Sequence, residues 1–144
     1  MIAVGSELWL GNARDARDAR SLFDSEITAV VDVAWDEPLA QLPRELIYCR
    51  FPLVDSGGNP QELLTLAVQT VVNLLSAGQR TLVACSAGMS RSPAVAAAAL
   101  SVVAGEDPDE VLARIGEQRS LEVSLPLWEQ LQSVLPSLRS GRND

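Results

Sequence analysis

Apolar residues along the chain fall into two patterns, short unbroken runs and stripes at helical spacing, and the two alternate. Runs rich in β-branched or aromatic residues predict strands over Ala29 to Val33 and Leu46 to Phe51, with a short buried strand at Thr81 to Ala84. Between the last two, Asn59-Pro60 opens a predicted helix to about Ala77, with Leu63, Leu66, Ala67, Thr70, Val71 and Leu74 on its stripe and Gly78 as its stop. Pro93 to Val103, almost entirely Ala, Val and Leu, predicts a buried helix. Asp107-Pro108 is a cap followed by a first-turn proline and opens a helix to about Gln118. Ser124 precedes a last helix carrying Leu127, Trp128, Leu131, Val134 and Leu135. Near the start, the Ala-Arg-Asp triplets after Asn12 predict one helix, capped by Asn12 and ending near Asp24-Ser25.

Strands that alternate with helices imply an α/β fold, a largely parallel central sheet covered on both faces, with a ligand site at the carboxyl end of a strand. The length, 144 residues, suits a single domain. Its expected extent is 1–138, with 139–144 a frayed tail. No apolar stretch approaches the ~18 residues of a membrane span, and Met1 leads into a strand without a basic patch or apolar core segment. A cytoplasmic location is expected, and two cysteines without framework spacing agree with a reducing compartment. The net charge of −8, with arginine as the only cation among 11 basic residues, disfavours nucleic acid and acidic membrane surfaces as partners.

One segment carries chemistry. Cys85-Ser86-Ala87-Gly88-Met89-Ser90-Arg91-Ser92-Pro93 joins the Thr81 to Ala84 strand to the buried helix. Ser86, Ala87, Gly88, Met89 and Ser90 include only one long side chain, so successive backbone N–H groups are free to turn inward at a helix N-terminus and bind an anion. Cys85 shares that field, which favours the nucleophilic thiolate. Arg91 folds back with a planar fork that matches two phosphoryl oxygens, a geometry lysine does not reproduce. Ser92 is placed to donate its hydroxyl to the sulfur when it departs from a thiophosphate. A Cys-x5-Arg pair is weak by itself; the strand before it, the small residues within it and the Ser-Pro and Ala-rich helix after it make it specific.

With these residues the chain resembles the cysteine-dependent protein phosphatases, most closely the small dual-specificity branch. Leu8-Trp9-Leu10-Gly11-Asn12 resembles that family's opening strand and Ile27 to Val33 its next one, so the resemblance covers most of the chain. It implies phosphoester hydrolysis without metal or cofactor, on a phosphorylated protein or a small phosphoester. Phe51-Pro52-Leu53-Val54-Asp55 resembles the segment that delivers the family's general acid, which makes Asp55 the expected acid. The absence of histidine and lysine narrows the acid–base candidates to Asp, Glu, Tyr48, Cys or water, although an Asp before Ser-Gly-Gly also serves as an ordinary turn residue.

The chain departs from the family at Ala84, where a histidine usually precedes the cysteine. The expectation is an active enzyme whose thiolate is less favoured than in histidine-containing relatives. The alternatives are a pseudophosphatase that only captures phosphorylated partners, and sulfur transfer of the rhodanese kind. Three further residues stay open: Trp35 as a rim contact or core packing, Arg119 as loop support or surface ion pair, and Cys49 as a buried apolar residue or a disulfide partner of Cys85.

Overall fold

The computed structural model describes residues 1–142. Five strands form one sheet: β1 (Ile2–Ala3), β2 (Leu8–Gly11), β3 (Ala29–Asp32), β4 (Ile47–Arg50) and β5 (Thr81–Ala84). Their spatial order is β1-β2-β5-β3-β4, with β1 antiparallel at one edge and every other pairing parallel. Gly11, Ala84 and Asp32 are register partners. Three adjacent strands therefore end side by side, and the residues that follow them meet at one edge.

The helices are α1 (Ala19–Asp24), α2 (Gln61–Ser76), α3 (Arg91–Ala104), α4 (Pro108–Gln118) and α5 (Leu125–Arg142). They cover both faces of the sheet, unequally. Leu8, Leu10, Val31, Val33 and Val83 pack with residues of α2 to α5 in the main core. Val30, Leu82 and Ala84 point the other way into a smaller cluster with Ala16, Leu22, Ile27 and Leu46. The alternation of Leu82, Val83 and Ala84 between these clusters is the period of two expected of a strand.

Helix α3 is the axle of the main core. Ala94 to Ala99 are all fully buried, because α3 is packed among α2, α4 and α5 as well as the sheet. Small side chains permit that crowding, and Gly105, with φ of 67°, ends the helix in the left-handed region.

One expectation is corrected near the start of the chain. The predicted single helix after Asn12 is a 3-10 turn at Asp15–Arg17 followed by α1, broken at Asp18. Asp18 turns out of the helical path because its carboxylate caps α1, accepting from the Ser21 amide at 3.1 Å. Asn12 still caps, but it caps the 3-10 turn: its amide donates to Asp15 Oδ2 at 2.8 Å and its side-chain oxygen accepts from the Asp15 amide at 3.0 Å. At the other end, α5 runs through residues 139–142. The Arg139 guanidinium bonds Ser101 Oγ and the carbonyl of Glu106, tying that turn to the end of α3. Residues 143–144 of the expected tail lie outside the described residues.

Candidate active site

The loop from Cys85 to Ser90 leaves β5 at the convergent strand edge and runs directly into α3. Its folding follows from two anchors and one glycine. On the β2 side, the Cys85 amide donates to the carbonyl of Gly11 at 3.3 Å and the Ala13 amide to that of Ser86 at 3.2 Å. On the far side, the Glu122 amide donates to the carbonyl of Met89 at 2.9 Å. Gly88 sits between them with φ of 74°, and a Cβ there would lie 2.9 Å from the Gly11 oxygen. Only glycine fits both that conformation and that approach.

Cys85 is 3% exposed at the floor of a cavity of about 130 Å³. The Gly88 amide donates to its sulfur at 3.2 Å, and Ser92 Oγ lies 3.3 Å from it, fully buried in the first turn of α3. Ser86, Ala87, Met89, Ser90 and Arg91 line the same cavity. So does Asp55, from the connection after β4.

Two of the expected site residues have partners the sequence did not suggest. Ser90, expected to contribute its backbone, uses its hydroxyl as a bridge: it accepts from the Ser124 amide at 2.9 Å and donates to Asp55 Oδ1 at 2.5 Å. With one lone pair occupied by Ser124, its single hydrogen is directed at Asp55. Arg91 is buried, and its Nη1 donates to Asp36 Oδ1 at 2.7 Å and to the carbonyl of Leu53 at 3.0 Å. Its Nη2 donates to Ser86 Oγ at 3.1 Å. Burial pulls the Arg91 guanidinium down, but the Asp36 bond and the charges of Asp36, Cys85 and Asp55 together hold it above its ordinary value. The same contact with Arg91 holds the Asp36 carboxyl below the usual carboxylate range, against some desolvation.

Sequence reasoning missed Asp36. Of the connection after β3, the sequence singles out only Trp35. The available signal was an acidic residue just past the carboxyl end of a predicted strand, the edge where a parallel sheet places its ligands. Trp35 itself is 59% exposed, so it does not pack in the core.

The suggested pairing of Cys49 with Cys85 is excluded by strand order. Cys49 is the register partner of Val31, and Val31 that of Val83, so β3 lies between the two cysteines. Two strand spacings amount to ~10 Å, beyond the ~7 Å Cα separation a disulfide spans. Cys49 is a free, partly buried thiol packed against the main core. Ala84 faces the smaller core cluster, 1% exposed, so the position usually held by histidine is filled by apolar packing. Among the described residues no cluster of potential metal ligands occurs, and no helix is long and apolar enough to cross a membrane.

Comparison with known proteins gives the same placement from a different direction. Residues 8–134 match the family described as dual specificity phosphatase, catalytic domain. The chain is 31% identical over 141 residues to mouse dual specificity phosphatase 28, covering 95% of this chain and 85% of that one. The crystal structure of human DUSP28 superposes with a TM-score of 0.85 at 26% identity, over 98% of this chain and 99% of that chain. A mouse dual specificity phosphatase crystallised with zinc tungstate does so with a TM-score of 0.84 at 28% identity, over 97% and 89%. With the cysteine, the arginine and the anion-sized pocket between them at the end of a parallel strand, the chain belongs to the dual specificity phosphatases, enzymes that hydrolyse phosphoesters.

Proposed function

We propose that hydrolysis proceeds in two steps through a phosphocysteine. In the first, the Cys85 thiolate attacks phosphorus while the backbone amides of Ser86 to Arg91 and the Arg91 fork hold the three equatorial oxygens. The bond to the leaving oxygen breaks, and Asp55 gives that oxygen its proton. In the second, water gives a proton to Asp55 and attacks phosphorus, inorganic phosphate leaves, and Ser92 donates its hydroxyl to the departing sulfur. No metal or cofactor takes part.

The observation that carries this reading is the surroundings of one sulfur. Cys85 Sγ has the Gly88 amide at 3.2 Å and Ser92 Oγ at 3.3 Å, and shares a cavity with Arg91 and Asp55. A mouse relative is crystallised in complex with zinc tungstate, and tungstate is a tetrahedral oxyanion of phosphate shape, which supports reading the pocket here as an oxyanion site. Substrates are phosphorylated proteins or small phosphoesters met in the cytoplasm, where a free catalytic thiol persists. Hydrolysis of para-nitrophenyl phosphate with chelator present tests the mechanism. The wild type is expected to turn over and Cys85→Ser to lose essentially all activity; a Cys85→Ser protein as active as wild type would sink it.

A further inference from the structure

We propose that Asp36 is a positioning residue that fixes the Arg91 guanidinium in its phosphate-binding orientation before substrate arrives. The proposal rests on the phosphatase reading of the site and adds a residue from outside the Cys85 to Ser92 segment.

The guanidinium is held along one side only. Nη1 spends both its hydrogens, on Asp36 Oδ1 at 2.7 Å and the Leu53 carbonyl at 3.0 Å. Nη2 spends one on Ser86 Oγ at 3.1 Å, and the Ser86 hydroxyl passes on to Asp36 Oδ2, also at 3.1 Å. Arg91, Ser86 and Asp36 thus close a ring in which each oxygen of Asp36 has its own donor. A guanidinium has five N–H groups, and this ring with Leu53 occupies three. The pair left over, Nε–H and the second hydrogen of Nη2, is an edge suited to two phosphoryl oxygens at once. Asp36 therefore chooses which edge of Arg91 faces the substrate.

The carboxylate is itself held. The connection from residue 33 to 40 is gripped from the neighbouring strand: Arg50 Nη2 lies 3.2, 3.1 and 3.2 Å from the carbonyls of Ala34, Trp35 and Glu37. The Ala40 amide donates to the Tyr48 hydroxyl at 3.1 Å, and that hydroxyl donates to Asp32 Oδ2 at 2.9 Å. From the first helical turn, Arg17 Nη2 donates to the carbonyl of Pro38 at 3.2 Å. A half-exposed ion pair on a loose loop would be of little consequence. A carboxylate on a loop pinned at five backbone groups meets a buried arginine in a set geometry.

Two effects of Asp36 oppose each other, since its charge also weakens the attraction of Arg91 for a phosphate dianion. Asp36→Asn separates them. The amide oxygen still accepts from Arg91 Nη1 and the amide nitrogen donates to Ser86 Oγ, so orientation survives while the charge goes. Wild type, Asp36→Asn and Asp36→Ala would be compared by calorimetry with sodium tungstate and by kinetics with para-nitrophenyl phosphate. Asp36→Ala is expected to bind tungstate about tenfold more weakly, to raise KM, and to lose more than about tenfold in kcat/KM, because the misplaced guanidinium weakens the hold on the phosphoryl oxygens and weakens it further as charge gathers on them in the transition state. Asp36→Asn is expected to recover most of these losses. An Ala variant that binds and turns over as well as wild type, or an Asn variant no better than Ala, would overturn the role of Asp36. A wild type that binds tungstate but shows no turnover would overturn the phosphatase reading, and tungstate affinity would then decide Asp36 alone.

Discussion

Three residues set the precision of the pocket. The Ser90 bridge keeps Asp55 against the loop rather than in solvent, so Ser90→Ala should leave it free to swing. The expected loss in kcat is about tenfold for phenyl phosphate and clearly smaller for para-nitrophenyl phosphate, whose leaving group needs less help from an acid. Equal losses on the two esters would contradict that placement of Asp55. Gly88→Ala combines a strained φ with a Cβ 2.9 Å from a backbone oxygen. It should cost about 2 kcal/mol, seen as a fall in Tm of several degrees, together with loss of tungstate binding. Ala84 is a different kind of position. Restoring the family's histidine there would force a ring into a filled cluster, and Ala84→His is expected to destabilise by about 1–3 kcal/mol in a denaturant titration.

At the scale of elements, β3, β4 and β5 were legible as short runs of β-branched, aromatic or apolar residues, whereas β2, Leu-Trp-Leu-Gly, showed only through the family resemblance, and α3 was legible because an Ala-rich stretch that long has no polar face to expose. The loop after β5 was legible for the same reason that it works: small residues and a glycine are what an inward-turned backbone requires. What stayed hidden depends on distance in the sequence. Asp36 and Arg91 are brought together only because β3 lies beside β5, and Ser90 meets Ser124 only because α3 and α5 pack in one core. No local pattern encodes either pairing. Similarly, the split of the first helix was decided by whether Asp18 caps or continues, a choice between two competent local structures. The packing of α3 makes its own prediction. Ala97→Leu adds three carbons where α3 is buried on every side, and should lower stability by about 1–3 kcal/mol or more, measured by chemical denaturation.

For the whole molecule, the charge of −8 surrounds a pocket that must admit an anion. Long-range repulsion should slow encounter, and salt should relieve it. The expected result is that kcat/KM for a phosphopeptide with acidic flanks rises between 10 and about 150 mM NaCl, over which the Debye length shrinks from ~30 to ~8 Å, whereas a peptide with arginine flanks shows a fall. Acid acts at the Asp36–Arg91 contact. Because Arg91 holds Asp36 below the usual carboxylate range, the pair stabilises the fold above that range and loses its contribution only as pH falls through it. The sheet order has a further consequence, for the lifetime of the enzyme under peroxide. With β3 standing between Cys85 and Cys49, a sulfenic acid at Cys85 has no resolving thiol in its own chain, and further oxidation to the sulfinic acid is irreversible by thiols. Rescue must come from a small thiol such as glutathione entering the pocket, so Cys49→Ser should leave both the rate of peroxide inactivation and the extent of recovery unchanged.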